Sequence, residues 1–262
     1  MAIDWIDLSK VEANALLLLE REQVGWLLGS ADPEDLGAIL RAYPHIAWYL
    51  THKCPELRER VAAIAAGAPP AAGVTPTLRA REERLFESIA DWLVYLLEPE
   101  SYDEQPFTGW DTGELLRLAD FSGKTTLDVG AGTGRLALSV ADRAAATYCV
   151  EPVENLRRYI ARKAEAEGYK NVYCVDGLIT RIPFHDGFSD ITMAGHVFGD
   201  DPEAEHAELT RVTKKGGLVI LCPGNNDVDN EAHRFLVARG YAWSRFEEPE
   251  VGMKRKYWLR RG

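Results

Sequence analysis

Three glycines lie between two acidic residues near the middle of this 262-residue chain. The glycines are Gly130, Gly132 and Gly134 in the run LDVGAGTG, with Asp128 before them and Glu151 at the end of the next apolar run. Because glycine has no Cβ and accepts positive φ, a ligand can approach the backbone of such a loop closely. A carboxylate at the end of the following strand can accept hydrogen bonds from both hydroxyls of a ribose. The pattern therefore predicts a nucleoside-binding site.

The glycines alone do not decide which nucleoside binds. Counted from the first glycine, the dinucleotide pattern GxGxxG fails at Arg135, whereas counted from the second glycine the looser GxGxxA is met by Ala137. Asp128 favours another ligand, because a carboxylate would repel a pyrophosphate but would suit an ammonium and a sulfonium group. A nucleotide-dependent oxidoreductase that uses Gly132, Gly134 and Ala137 is the alternative.

Strand-like and helical patterns alternate around this loop, starting near residue 100. Five short apolar runs carry the strand pattern: TTLDVG, ATYCVEP, NVYCVDG, SDITMAG and GGLVILCPG. Such alternation predicts an α/β fold, a mainly parallel sheet covered by helices, whose ligands bind at the carboxyl ends of the strands. The last two runs, YAWSRFEEPE and GMKRKYWLRR, follow each other closely and predict an antiparallel C-terminal strand pair.

The first part of the chain predicts helices instead. Within residues 1–66, one long helix is expected to open at a Ser9 cap, and Asp32 followed by Pro33 is a common helix start. Residues 65–76, AAGAPPAAGVTP, are rich in alanine, glycine and proline and predict a linker.

A further helix is predicted in TLRAREERLFESIADWLVYLLE, where apolar residues recur at helical spacing. The predicted division places an N-terminal helical region in residues 1–98 and the α/β domain in residues 99–262. The helical region would either cover the substrate side or mediate a homodimer.

Four motifs together resemble one family. The run LDVGAGTG resembles the first motif of the class I S-adenosylmethionine-dependent methyltransferases, and YCVEP resembles their second strand and the acid after it. The runs IPFHDGFSDITMAGHVF and ELTRVTKKGGLVIL resemble the stretches before the fourth and fifth strands, so the resemblance covers roughly residues 105–225. It implies a Rossmann-like, mainly parallel seven-stranded sheet, S-adenosyl-L-methionine as cofactor, S-adenosyl-L-homocysteine as product, and methyl transfer by in-line displacement.

The resemblance also assigns roles to the residues around the glycine loop. The backbone at Gly130, Ala131 and Gly132 should line the methionine end of the cofactor. Asp128 would orient that loop or the amino group, and Glu151 would bind the ribose hydroxyls. The alternatives are a structural strand-end role for Asp128 and a helix-capping role for Glu151.

The adenine end departs from the family pattern. Members often carry Gly-Asp before a Pro-Phe pair, and the Asp reaches the adenine amino group. Here Gly177 and Leu178 precede Pro183, and the nearest acid stands earlier, at Asp176. Either Asp176 replaces the missing acid, or adenine is held by apolar contact and by the main chain at Leu178.

The candidate for acid–base chemistry is His196, which follows the fourth predicted strand in TMAGHVFGDD. Histidine titrates near neutral pH, so it could take a proton from an acceptor or hydrogen-bond to one. A capping or packing role is the alternative. Asn225, Asn226 and Asp227, after the fifth strand, would contact a substrate or form a turn.

The net charge of −11 disfavours nucleic acid as a partner. The one basic stretch, MKRKYWLRR, is interpreted as a solvated edge strand. The acids around Glu205 and His206 are interpreted as a solvated helix start, and no metal-ligand cluster is expected.

The longest apolar block, ALLLL, is too short to cross a bilayer, and the N-terminus lacks a signal-peptide pattern. The four cysteines, Cys54, Cys149, Cys174 and Cys222, form no CxxC motif and suggest reduced thiols in a cytoplasmic protein.

The leading hypothesis is a methyltransferase with a small-molecule acceptor; a protein acceptor is less favoured, and no membrane partner is expected. The alternatives are the oxidoreductase described above and a non-catalytic protein that keeps cofactor binding while its helices bind a partner. The sequence does not identify the acceptor atom.

Overall fold

The computed structural model describes residues 5–67 and 77–262. Internal contacts divide the chain into two units, Met1–Tyr102 and Asp103–Gly262. Most of the predicted linker, residues 68–76, lies outside the described residues. The role of the first unit, as substrate cover or dimer contact, stays a prediction. Sedimentation velocity measures the oligomeric state and so tests the dimer contact.

The first unit is helical in its described parts. Its α-helices are α1 Arg21–Ser30, α2 Pro33–Ala42, α3 Pro44–Lys53, α4 Arg58–Ala66, α5 Leu78–Ser88 and α6 Ala90–Leu97. Short 3-10 helices span Leu8–Lys10, Ala13–Leu18 and Pro55–Leu57. The predicted start of α2 is confirmed, because the Asp32 carboxylate accepts hydrogen bonds from the backbone N–H groups of Glu34 and Asp35.

The prediction of one long helix opening at Ser9 is wrong. Asp7 caps the first short 3-10 helix, and its carboxylate accepts hydrogen bonds from the Ser9 N–H and hydroxyl. The α-helix begins only at Arg21, where the Gln23 side chain accepts from the Glu20 N–H. The apolar run between these caps is therefore wound in short turns rather than continued as one helix.

The second unit contains the sheet. Its strands are β1 Thr125–Val129, β2 Ala146–Val150, β3 Val172–Val175, β4 Ser189–Ala194, β5 Thr213–Asn226, β6 Ala242–Glu248 and β7 Gly252–Arg260. The remaining α-helices are α7 Pro99–Asp103, which spans the division, α8 Gly113–Leu116, α9 Arg135–Ala141, α10 Glu154–Ala166, α11 Pro202–Val212 and α12 Glu231–Ala238.

The strand order is β3-β2-β1-β4-β5-β7-β6, with β1 to β5 parallel and β7 antiparallel to both of its neighbours. The predicted seven-stranded, Rossmann-like sheet with an antiparallel C-terminal pair is confirmed. The order reverses between β1 and β4, and such a reversal opens a crevice at the carboxyl ends of the strands. The loops after β1, β2 and β4 therefore meet at one edge.

Both faces of the sheet are buried, as β5 shows by alternation. Val219 and Leu221 belong to a core cluster on one face, together with Leu209 of α11 and Leu236 of α12. Ile220 belongs to the cluster on the other face, which includes residues of α9. Covering helices on both faces explain why the inner strands read as continuous apolar runs.

The interpretation of MKRKYWLRR as a solvated edge strand is wrong. This segment forms β7, which lies between β5 and β6, and its three consecutive cations, Lys254, Arg255 and Lys256, are all buried. Their ion-pair partners are Glu248 for Lys254, Asp227 and Asp229 for Arg255, and Glu114 for Lys256. Acids from three separate segments of the chain thus neutralise a basic strand inside the sheet.

Glu205 is also buried rather than solvated. Its carboxylate accepts hydrogen bonds from the backbone N–H groups of Gly199, Asp200 and Asp201, so it organises the turn before α11. In the described ranges, no three potential ligands are grouped to hold a metal ion. None of the helices in those same ranges is long and apolar enough to cross a membrane.

Candidate active site

The glycine loop is fixed to the second strand by its backbone. The N–H groups of Gly130 and Ala131 donate to the Val150 carbonyl at 2.8 and 3.2 Å. Gly130 has a φ of 68°, and a Cβ added there would lie 2.7 Å from Cγ2 of Val197. Only glycine suits this position, because a side chain would combine backbone strain with a clash against the loop after β4.

Asp128 is the least satisfied carboxyl group of the loop. It is 1% exposed, and its Oδ2 accepts a hydrogen bond from the Ala137 N–H at 2.9 Å. Its Oδ1 is buried and has no hydrogen-bond partner within the described parts of the chain. Burial raises the pKa of Asp128 to about 7, which the single backbone hydrogen bond only partly opposes.

Glu151, at the end of β2, connects the first two loops. Its Oε2 accepts from the Gly132 N–H at 2.8 Å, and its Oε1 accepts from the Val153 N–H at 3.0 Å. Burial raises the pKa of Glu151 to about 7 despite these two bonds. Since a carboxylate offers roughly four acceptor positions, the group can still accept from a ligand.

The third loop contains Asp176, which follows β3 directly. Its carboxylate is largely exposed and lies 3.4 Å from Nη1 of Arg157. The same Nη1 donates to the Glu151 carbonyl at 2.7 Å, so Arg157 bridges the loops after β2 and β3. The structure thus brings the predicted adenine-side acid next to the predicted ribose-side acid.

Gly177 and Leu178 form the turn after this acid. A Cβ on Gly177 would lie 2.7 Å from Pro183 Cδ and 2.8 Å from Val150 Cγ1, so only glycine fits the contact. Leu178 pairs with Arg181 in an isolated antiparallel bridge. The turn is therefore packed closely against β2.

His196 follows β4 and adopts a left-handed backbone conformation, with a φ of 58°. Such a conformation is uncommon for a side-chain-bearing residue and often marks a functional site. Its N–H donates to the Pro223 carbonyl at 2.9 Å, and its ring meets Phe107 edge to face with centroids 5.8 Å apart. The adjacent Val197 packs on Gly130, so the structure brings His196 to the glycine loop.

The segment before β1 is tied to the same loop. Asp103 accepts hydrogen bonds from Lys163 at 2.7 Å and from Tyr159 at 2.9 Å. Burial acts to raise the pKa of Asp103, but its bonds with Lys163, Thr133 and Tyr159 hold that pKa below its usual range. Thr133 belongs to the glycine loop, so this segment and α10 are fastened to the loop.

Two predicted substrate contacts are already engaged elsewhere. The Asn226 side chain accepts from Lys254 at 2.6 Å, and Asp227 accepts from Arg245 and Arg255. Sequence reasoning missed Arg157, Glu248 and Lys254. Lys254 pairs with Glu248 across the β6–β7 hairpin, whereas the other partner of Glu248, His196, lies far away along the chain. A sequence signal for such pairs is a charged residue within or next to a strand that is expected to be buried, because that charge needs an opposite charge as partner.

The methyltransferase domain family matches residues 127–221 of the chain. An uncharacterized methyltransferase of Geobacillus thermodenitrificans is 30% identical over 168 residues, which cover 60% of this chain and 74% of that protein. The chain belongs to the class I, Rossmann-like methyltransferases.

Further matches to this chain cover smaller shares or are more remote. The demethylmenaquinone methyltransferase of Thermobifida fusca is 30% identical over 143 residues, 53% of this chain, and the match spans only 58% of that protein's length. A solved structure of a SAM-dependent methyltransferase from Aquifex aeolicus is 20% identical, with a TM-score of 0.45 over 64% of this chain and 91% of that one.

Proposed function

We propose that the chain is an S-adenosylmethionine-dependent methyltransferase that methylates a small-molecule acceptor by in-line displacement. The observation that carries the proposal is the unpartnered, buried Oδ1 of Asp128 at the tip of β1. A buried carboxylate with one oxygen left without a hydrogen bond is costly, and an ammonium group is the partner that lowers this cost most. S-adenosylmethionine brings such a group.

The cofactor would lie across the loops after β1, β2 and β3, with its methionine end at the first loop and its adenine at the third. Its methionine end would approach the backbone from Gly130 to Gly132, with its ammonium paired to Asp128. Its ribose hydroxyls would donate to Glu151, whose carboxylate keeps acceptor capacity. Adenine would then lie against Gly177 and Leu178. Because Oδ1 of Asp128 is shielded from solvent, the loop has to open slightly for a donor or a bridging water to reach it.

Methyl transfer requires little from the protein beyond correct positioning of the acceptor and the cofactor. When bound, the cofactor supplies both the electrophilic methyl group and its leaving group. The chain aligns the acceptor and excludes water, and effective alignment alone accelerates such a step greatly. His196, at the edge of the crevice, would receive the proton of an acceptor that arrives protonated.

The same geometry speaks against a pyrophosphate in this loop. Dinucleotide sites place a pyrophosphate at the N-terminus of the helix after the loop. Here the Ala137 N–H in the first turn of α9 is engaged by the Asp128 carboxylate. A dianionic ligand would therefore meet a carboxylate where it needs N–H donors.

Isothermal titration calorimetry tests the proposal with S-adenosylmethionine, S-adenosylhomocysteine and NADH. We expect the first two to bind and NADH not to bind. Asp128→Asn and Glu151→Gln should each weaken binding by about 10- to 100-fold, since a hydrogen bond to a charged group contributes roughly 1.5–3 kcal/mol. Asp142→Asn, an exposed acid after α9, is the matched control and should bind normally.

Binding of NADH alone would support the oxidoreductase alternative and remove this proposal. Acceptors are then sought by following labelled methyl into a metabolite extract and into protein. Demethylmenaquinone, which the name of the Thermobifida relative gives, is the first pure compound for the panel. Tight cofactor binding with no transfer to any acceptor would support the non-catalytic alternative.

A further inference from the structure

A second charged cluster lies at the carboxyl edge of the sheet, and cofactor binding at the glycine loop does not require it. Glu248 ends β6, Lys254 lies in the neighbouring β7, and His196 follows β4. Since β4 and β6 run in the same direction, their carboxyl ends lie at the same edge. The cluster therefore shares an edge with the glycine loop.

Glu248 lies between the other two residues of the cluster and contacts both. Nε2 of His196 lies 2.9 Å from Oε1 of Glu248, and Nζ of Lys254 lies 3.0 Å from Oε2 of the same carboxylate. Lys254 also donates to Asn226 Oδ1 at 2.6 Å. Glu248 thus presents one oxygen to the imidazole and the other to the ammonium group.

The three residues of the cluster differ in how deeply their side chains are buried. The Glu248 side chain is fully buried and Lys254 nearly so, whereas the His196 side chain is 35% exposed. The carboxylate and the lysine are therefore held inside the protein, and only the imidazole can meet a ligand. A charge buried at this depth persists only when it is well paired.

The charge state of Glu248 follows from its neighbours. Burial acts to raise the pKa of Glu248, but His196 and Lys254 together hold that pKa below its usual range. The carboxylate is thus ionised at neutral pH and acts only as an acceptor. Lys254 supplies the fixed positive charge that permits this in a dry environment.

An ionised carboxylate next to one ring nitrogen selects a tautomer of the imidazole. In a neutral ring, a proton on Nε2 would face the Glu248 carboxylate, and Nδ1 would then keep a lone pair. The two contacts to Glu248 have ion-pair distances but lack the angles of good hydrogen bonds. Catalytic hydrogen bonds in unliganded sites are often misaligned and tighten on substrate binding.

We infer that Glu248 is a positioning residue that holds His196 as the Nε2–H tautomer, so that Nδ1 accepts a proton from the methyl acceptor. The inference rests on the proposed function and names its substrate class: acceptors whose nucleophilic atom carries a proton at neutral pH, a hydroxyl group above all. A carboxylate or thiolate acceptor would need no such base.

The step balances without another reactant. The acceptor oxygen forms a bond to the methyl carbon while the carbon–sulfur bond breaks, and the electron pair of that bond stays on sulfur as a thioether. The acceptor O–H bond releases its proton to Nδ1 of His196, and its electrons remain on oxygen. The imidazolium that forms is stabilised by the Glu248 carboxylate.

Nuclear magnetic resonance can test the tautomer without knowledge of the acceptor. The full chain is labelled with ¹⁵N-histidine and saturated with S-adenosylhomocysteine, and a His196→Asn variant identifies the His196 signals among those of the 6 histidines. Long-range proton–nitrogen correlations then report which ring nitrogen carries the proton. We expect the Nε2–H form to dominate in the unmodified chain.

Two variants distinguish the effect of the Glu248 carboxylate from the effect of removing any negative charge on β6. In Glu248→Gln, the amide should place its oxygen toward Lys254 and its NH₂ toward the ring, which shifts His196 to the Nδ1–H form. The matched control is Glu247→Gln, an exposed neighbour on the other face of β6, which should leave the tautomer unchanged.

The possible results bear on different claims. A dominant Nδ1–H form in the unmodified chain would overturn the inference even if Glu248→Gln fails to fold. An unchanged tautomer in a folded Glu248→Gln chain would overturn it too. If S-adenosylhomocysteine does not bind at all, the proposed function fails, whereas normal binding with the wrong tautomer removes only this inference.

Discussion

Carboxyl groups are buried at two places on the same edge of the sheet, but their surroundings differ. Asp128 and Glu151, at the tips of β1 and β2, accept only backbone N–H bonds. Burial raises the pKa of Glu151 and outweighs the nearby charge of Arg157, which donates to the Glu151 carbonyl and acts to lower that pKa. Glu248, at the tip of β6, is paired with both Lys254 and His196.

The pKa values follow this difference. Burial raises the pKa of Asp128 and of Glu151 to about 7, whereas the two partners of Glu248 hold its pKa below the usual range despite burial. The protein supplies the counter-charge of Glu248 from its own chain. Among the residues that the structure describes, Asp128 has no such counter-charge, which is what the proposed pairing with a cationic group of the cofactor predicts.

The largest expected effect comes from removing the internal counter-charge. Lys254→Met leaves Glu248 buried without its ammonium partner and should lower the free energy of unfolding by about 3–5 kcal/mol. Chemical denaturation measures this loss. The double variant with Glu248→Gln should recover most of it, and a single variant as stable as the original chain would show that the pair is not buried in solution.

His196→Ala is expected to act on rate rather than on cofactor affinity. Loss of a proton acceptor should lower kcat by at least about 100-fold. Turnover is measured with the acceptor that the methyl-label screen provides, and S-adenosylhomocysteine affinity is measured alongside. A normal kcat would reassign His196 to packing against Phe107.

The smallest effect concerns the glycine-loop carboxyl in the absence of ligand. Because the folded-state pKa of Asp128 is raised, its contribution to stability is complete below its ordinary value near 3.8 and is lost as pH rises through about 7. Asp128→Asn removes this pH-dependent loss of stability, because the amide does not ionise. The stability advantage of the variant over the original chain should therefore grow by roughly 2.5 kcal/mol between about pH 5 and pH 8, or about 5–10 °C in Tm.

The comparison with Asp128→Asn is made at each pH because other groups titrate in the same range. His206 and His233 have lowered pKa values, chiefly through burial, and their contributions run in the opposite direction. Both are present in the two chains, so they cancel in the difference. A Tm difference that does not change with pH would mean that the Asp128 carboxyl is ionised throughout.

The cofactor half of the site could be predicted because its determinants are local in sequence. Gly130 and Asp128 lie within one strand and its loop, and Glu151 ends the next strand. Parallel βαβ order then brings these positions together at one edge without further information. The motif spacing therefore indicated both the fold and the neighbouring loops.

The other half depends on contacts between distant segments. Glu248 and Lys254 reach His196 only because β7 lies inside the sheet, and nothing in MKRKYWLRR specifies that position. Charge density alone indicated an exposed edge. Two short 3-10 helices stand where the sequence predicts one long helix opening at Ser9, and the first of them is capped by Asp7.

The central claim is that Asp128 pairs with the ammonium group of the cofactor, and calorimetry with two ligands tests it most directly. S-adenosylhomocysteine and its deaminated analogue are each titrated into the original chain and into Asp128→Asn. We predict that the analogue binds the original chain about 10-fold or more weakly, and that the two ligands bind Asp128→Asn almost equally. The same loss of affinity in both chains would contradict the account.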